Sequence, residues 1–160
     1  LRRGELSETL KILHAQPNFE KELLEALEVE GSVNGICIVS GGETTVKVTG
    51  DGQGGRNQEL ALRFTNLAFD AQNPLINDIF FLSCGTDGID GNCDAAGGIG
   101  GINILSQRSI SNVMKEYIFR NDSYNFYKNF SSGYHIITGH TGTNVMDINL
   151  LIIPKASNCC

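Results

Sequence analysis

The sequence predicts a layered α/β domain with a central sheet and flanking helices. Two observations carry this. Short apolar, β-prone runs alternate with stretches of helical period, and glycine-rich polar loops follow directly on those runs. A chain of 160 residues is long enough for one domain with a real core. With 41% apolar and 19% charged residues it has the composition of a folded protein rather than a disordered one.

Leu6, Leu10 and Leu13 recur at helical spacing over Glu5 to Leu13, and Pro17 stops the pattern. A second amphipathic helix is expected over Asn18 to Glu30, with Phe19, Leu23, Leu24 and Leu27 as its stripe, Asn18 as cap and Gly31 as stop. Ile36 to Val39 reads as a buried strand. Thr44 to Thr49 is a further β-prone run, which would make the sheet mixed. Arg56 to Phe69 returns to a 3.6-residue period through Leu60, Phe64, Leu67 and Ala68.

Ile79 to Ser83 is a second buried strand, Asp94 to Leu105 a small, close-packed segment without a clear period, and Ser109 to Phe119 a helix. Tyr124, Phe126, Tyr127 and Phe130 form an aromatic cluster suited to a core. Tyr134 to Ile137 and Ile148 to Ile153 are the last expected strands, the final one ended by Pro154.

A formal net charge of −6 opposes general nucleic-acid binding, which needs a basic surface. No apolar run approaches the roughly 20 residues that span a bilayer, and Leu1 to Leu10 has no signal-peptide core. The expectation is a soluble, cytoplasmic protein with no membrane partner. Its five cysteines show no zinc-ligand spacing and read as reduced thiols. A start at Leu1 rather than Met suggests a fragment or a processed product.

Three loops concentrate the polar residues. The first joins Ser40-Gly41-Gly42-Glu43-Thr44-Thr45 to Gly50 to Glu59, where glycines expose backbone N–H groups and a helix start near Arg56 favours an anion. Arg56 adds a planar fork able to grip an oxyanion with two hydrogen bonds. This glycine pattern matches neither a P-loop nor a dinucleotide fingerprint, and read alone it favours an ordinary glycine-rich turn. The second loop, Gly85 to Gly91 with Asp94 to Gly97, holds three carboxylates that can serve Mg²⁺ or cap helices and fix turns. The third, Thr138 to Asn144, offers hydroxyls, amides and Asn144 for phosphate contacts. His140 within it has no visible orienting partner and is left out of the catalytic set.

Six segments in order, Ser40 to Val46, Gly54 to Ala61, Gly85 to Gly91, Asp94 to Gly97, Asn121 to Tyr124 and Thr141 to Val145, resemble the successive signatures of the glycerate 2-kinase and hydroxypyruvate-reductase-like family. The resemblance covers roughly Ile36 to Pro154 and is to the family's carboxy-terminal MOFRL domain. It implies the second domain of a two-domain enzyme, with the active site in the cleft between the domains. Residues 1–31 would then be a helical lead-in from the amino-terminal domain, 32–154 the MOFRL-like domain and 155–160 a short tail.

The implied reaction moves the γ-phosphoryl of ATP to the 2-hydroxyl of D-glycerate with Mg²⁺. The amino-terminal domain, with a lysine assigned to catalysis, is absent from this sequence, so the fragment alone is expected to be inactive. By the family's pattern Arg56, Asp87 and Asp90 are the catalytic candidates. Glu43, Arg56, Asn57 and Glu59 are the candidates for the substrate, and Asp87 and Asp94 for the metal. Gly54, Gly55, Gly85, Thr86, Thr141, Gly142, Thr143 and Asn144 are the candidates for nucleotide and phosphate contacts. Two other readings are an NAD(P)H-dependent hydroxypyruvate reductase and a noncatalytic domain that acts by binding a ligand or partner.

Overall fold

The alternation of apolar runs and helical stretches does produce a mixed α/β domain. The computed structural model describes residues 35–72, 76–105 and 110–154. The helices expected at Glu5 to Leu13 and Asn18 to Glu30, and the tail, lie outside the described residues. The chain divides into two units, of which Ile36–Pro154 is the described one. Its elements are β1 (Gly35–Gly42), α1 (Arg56–Asp70), β2 (Phe80–Gly85), β3 (Gly97–Gly100), α2 (Ser111–Phe119), α3 (Ser123–Phe130), β4 (His135–Ile136) and β5 (Asp147–Pro154).

The sheet order is β1-β5-β2-β3-β4. β2 pairs antiparallel with both β3 and β5, and β3 pairs antiparallel with β4. Leu82 lies opposite Ile99 and Leu150, and Gly85 opposite Asp147. Because side chains alternate across a strand, Phe81 and Ser83 share one face. Phe81 stacks on Phe64 of α1 at 5.2 Å, and Ser83 is fully buried against Asn57 of the same helix.

The core lies between this sheet face and the helices: Ala61 and Leu62 from α1, Ile104, Ile110, Met114 from α2, and Phe126 and Tyr127 from α3. Phe126 meets Tyr117 and Tyr127 edge-on, the arrangement that ring quadrupoles favour. The aromatic cluster is therefore core at Phe126, Tyr127 and Phe130, as its composition suggested, whereas Tyr124 lies outside it against His135. The cluster is carried by a helix, α3, which the sequence reading did not assign.

Three expectations change. Ile36 to Val39 lies in β1, but as an edge strand with Cys37 and Val39 exposed rather than buried. Thr44 to Thr49 forms no strand, because its backbone groups are satisfied by side chains instead of by a neighbouring strand. Asn121 Oδ1 accepts the Thr49 N–H at 2.8 Å, and Asn121 Nδ2 donates to the Lys47 carbonyl at 3.2 Å. The sheet is consequently not made mixed by that run. The close-packed segment after Asp94 resolves into β3 and a 3-10 turn at Ile102–Ile104. Gly100 in β3 lies so close to α1 that a Cβ there would collide with the Ala61 carbonyl, so glycine sets the helix–sheet distance.

Candidate functional site

Antiparallel pairing brings the carboxyl end of β2 beside the amino end of β5, and α1 begins over the same point. Segments far apart in sequence meet there through a network of polar side chains. Arg56, the first residue of α1, donates from Nε to Asp147 Oδ2 at 2.7 Å and from Nη2 to Asp147 Oδ1 at 2.9 Å. Asp147 is 1% exposed, whereas the Arg56 side chain is 35% exposed. Glu43, just past β1, stands 3.4 Å from Arg56 Nη2 and is 55% exposed. The arginine is thus pinned along one edge by a buried carboxylate and open along the other.

Burial pushes the Asp147 carboxyl up, but hydrogen bonds from Arg56 and Asn57, the Arg56 charge and the Thr44 backbone N–H together hold it below the usual carboxylate value. The same hydrogen bond from Arg56 to Asp147 raises the guanidinium above its ordinary value against the cost of burial. Both groups are charged throughout the neutral range.

Asn57 joins the two halves of the network. Its Nδ2 donates to Asp147 Oδ1 at 3.1 Å and to Asp90 Oδ1 at 3.2 Å, and its Oδ1 accepts the Ser83 hydroxyl at 2.6 Å. Asp90 also accepts the backbone N–H groups of Asn57 and Gln58 at 3.0 and 2.8 Å. A carboxylate from the second loop therefore caps α1, whose own N-cap, Gly55, has no side chain to do so. Gly55 is required here, since a Cβ would run into that carboxylate. The positive helix end proposed for an anion is already occupied by Asp90, and Arg56 is left as the group available to a ligand.

The other expected residues divide. Glu59 is buried, but its Oε1 meets Arg63 at 2.7 Å and its Oε2 accepts from Asn121 Nδ2 at 2.8 Å, so both oxygens have protein partners. Asn121, at φ +53°, also binds Gly50 N–H at 2.9 Å. Asp122 Oδ1 accepts the Gln53 N–H at 2.8 Å. The Asn121-Asp122 signature thus clamps the first glycine loop. Gly54 donates to Asn92 Oδ1 at 3.0 Å and, with Gly55, Gly91 and Glu59, lines a cavity of about 320 Å³.

The second and third loops hold each other. Gly85 N–H donates to the Ala96 carbonyl, and Thr86 bonds the Met146 carbonyl through both N–H and Oγ1. Thr141 reaches the Asp87 carbonyl with its N–H and the Thr86 carbonyl with its hydroxyl. Thr143 N–H returns to Thr141 Oγ1, while Asn144 Nδ2 lies 3.5 Å from Asp87 Oδ2. Gly142, at φ +75°, forms the exposed tip. Asp87 Oδ1 accepts the Ile89 N–H at 3.2 Å, which makes it a turn former as well as a candidate ligand. Asp94 is exposed, and its carboxylate pushes the Tyr124 phenol up. Among the described residues no three His, Cys, Asp or Glu side chains converge on a metal position.

Sequence reasoning missed Asp147, Ser83 and the clamping role of Asn121. Asp147 is one residue in a β-prone run, and its partner lies 91 positions away. Its only local signal is an acidic residue opening an apolar strand.

These features define an α/β domain that gathers three loops around an anchored, half-exposed arginine at one end of its sheet. The chain belongs to the MOFRL family, which matches residues 36–147. It is 45% identical over 135 residues to a glycerate kinase of Rattus norvegicus, an alignment that covers 82% of this chain and 25% of that protein. It is 51% identical over 110 residues to a glycerate 2-kinase of Picrophilus torridus, covering 68% of this chain and 23% of that one. The solved glycerate kinase of Thermotoga maritima superposes with a TM-score of 0.60 at 42% identity, over 73% of this chain and 27% of its own. The chain spans about a quarter of the length of the curated relatives it matches. Their kinase names do not favour the reductase alternative.

Proposed function

We propose that this chain is the carboxy-terminal part of a glycerate 2-kinase that transfers the γ-phosphoryl of ATP to the 2-hydroxyl of D-glycerate, giving 2-phosphoglycerate. Its likeness to proteins named glycerate kinase supports the reaction, and one observation supports the site. Arg56 is charged, held by a buried carboxylate on one edge and exposed on the other. Phosphoryl transfer asks the protein mainly for positioning and for cations that neutralise charge on the equatorial oxygens, and an anchored guanidinium supplies both.

In this reading the open edge of Arg56 takes an oxygen of glycerate or of the phosphoryl group, and Glu43 yields its weak contact when the anion arrives. Asn57 and Asp90 hold the start of α1 in place. Glu59 serves the substrate indirectly, by fixing the glycine loop through Asn121. The exposed backbone around Gly142 and the Thr141 to Asn144 segment offers contacts to the nucleotide phosphates.

Mg²⁺, when bound with ATP, would offset phosphate charge. The donor set fits a metal carried mainly by the nucleotide, since Asp90 is fully engaged while Asp87 and Asp94 retain unpartnered lone pairs. The amino-terminal domain would complete the cleft, and a cytoplasmic location belongs to the same reading.

The test is an assay of the full-length protein with ATP, Mg²⁺ and D-glycerate, set against NADPH with hydroxypyruvate. Formation of 2-phosphoglycerate is expected. NADPH oxidation without it would overturn the proposal.

A further inference from the structure

The Arg56–Asp147 contact has an asymmetry that a simple surface ion pair lacks. Asp147 is buried at the first position of β5, fixed by its register with Gly85 and by the Asn57 amide. It takes Nε–H and one Nη2 hydrogen, the side edge of the guanidinium. Among the described residues the end edge, formed by Nη1 and the second Nη2 hydrogen, has only the longer contact to Glu43 and so is open to an oxyanion. A planar group held by two bonds on one edge has its plane, and therefore the direction of its remaining N–H groups, determined.

We infer that Asp147 is a positioning residue for the transfer step, setting the plane in which Arg56 presents its free edge to the reacting oxyanion. This rests on the kinase reading of the site above. Asp147 touches no substrate itself and acts through Arg56. A lysine at position 56 could not be oriented this way, because an ammonium has no plane to fix.

The experiment is a double-mutant cycle in the full-length protein, with ATP, Mg²⁺ and D-glycerate. Misplacing a reacting group by about 1 Å can cost about 10²-fold, so Asp147→Asn should lower kcat by about that factor while the KM for ATP changes little. In Arg56→Ala the orienting role has nothing left to act on. The double variant Arg56→Ala/Asp147→Asn should therefore be no slower than Arg56→Ala alone.

Should Asp147→Asn fail to fold, Asp147→Glu keeps the charge but displaces the guanidinium by a methylene. The same kcat loss and the same non-additivity are then expected. Full multiplication of the two losses, or wild-type kcat in the Asp147 variant beside an impaired Arg56→Ala, overturns the positioning role while leaving the kinase reading intact. Wild-type kcat in Arg56→Ala overturns the reading of the site and the positioning role together.

Discussion

Asp90 Oδ2 accepts both the backbone N–H and the side-chain Nε2 of Gln58, at 2.8 and 3.0 Å, while its other oxygen serves Asn57 in the same way. A single buried carboxylate thereby fastens the first turn of α1 to the loop after β2. Asp90→Asn should place an amide against two donors and destabilise the protein by about 3 kcal/mol, since buried groups left without partners cost about 1–3 kcal/mol each. Urea unfolding measures it. A change under about 0.5 kcal/mol would mean that the cap is dispensable.

Arg56 should behave differently, with its largest effect on rate, although Arg56→Ala also leaves the buried Asp147 carboxylate without its cation and lowers stability. Removing a donor aimed at developing negative charge costs about 10²–10³ in kcat, and that loss is expected for Arg56→Ala in the full-length protein. Arg56→Lys should restore the charge without the two-edged geometry and remain clearly below wild type. Steady-state kinetics and thermal melts on both variants check this, and wild-type kcat and KM in Arg56→Ala would remove the residue from the site.

Asn121 links the Lys47 to Gly50 backbone to Glu59 from a left-handed conformation. Asn121→Ala should lose these bonds and strain the backbone, lowering stability by about 1–3 kcal/mol. Asn121→Gly relieves the strain alone, so it should recover only part of the loss. Amide exchange should quicken at Thr49 and Gly50 in both variants, whereas unchanged protection there would deny the clamp.

His135 gives the domain a pH dependence. It stacks on Tyr124 at 4.8 Å and lies tilted against Tyr127 at 5.2 Å, and burial lowers its pKa from 6.5 although Asp94 pulls the other way. A lowered value means that the unfolded chain binds this proton first. Stability is then full above pH 6.5 and declines as pH falls from there toward the folded value. Tm should drop between pH 7.5 and 5.5 in the parent and drop less in His135→Gln. Equal drops would assign the dependence to other groups.

The sequence by itself determined the class of the fold, six of the eight helices and strands described, and the three polar loops. Hydrophobic period and glycine placement are local properties of a chain, and Ile36 to Val39, Arg56 to Phe69 and Ile148 to Ile153 carry them plainly. Arg56 stood out as a candidate because it lies at the junction of a glycine loop and a helix, but its two bonds to Asp147 were not legible.

Tertiary structure alone decided which polar groups remained available. Asp87, Asp90 and Asp94 look equivalent along the chain, yet Asp90 is buried as the cap of α1, Asp87 shapes a turn and Asp94 stays exposed on the surface. Thr44 to Thr49 has the β propensity of a strand and lacks only a neighbouring strand, for which Asn121 substitutes. Asp147 reaches Arg56 only because β5 runs antiparallel to β2. Local sequence fixes what a backbone segment prefers, but a hydrogen bond between residues 91 positions apart depends on where the whole chain places its ends.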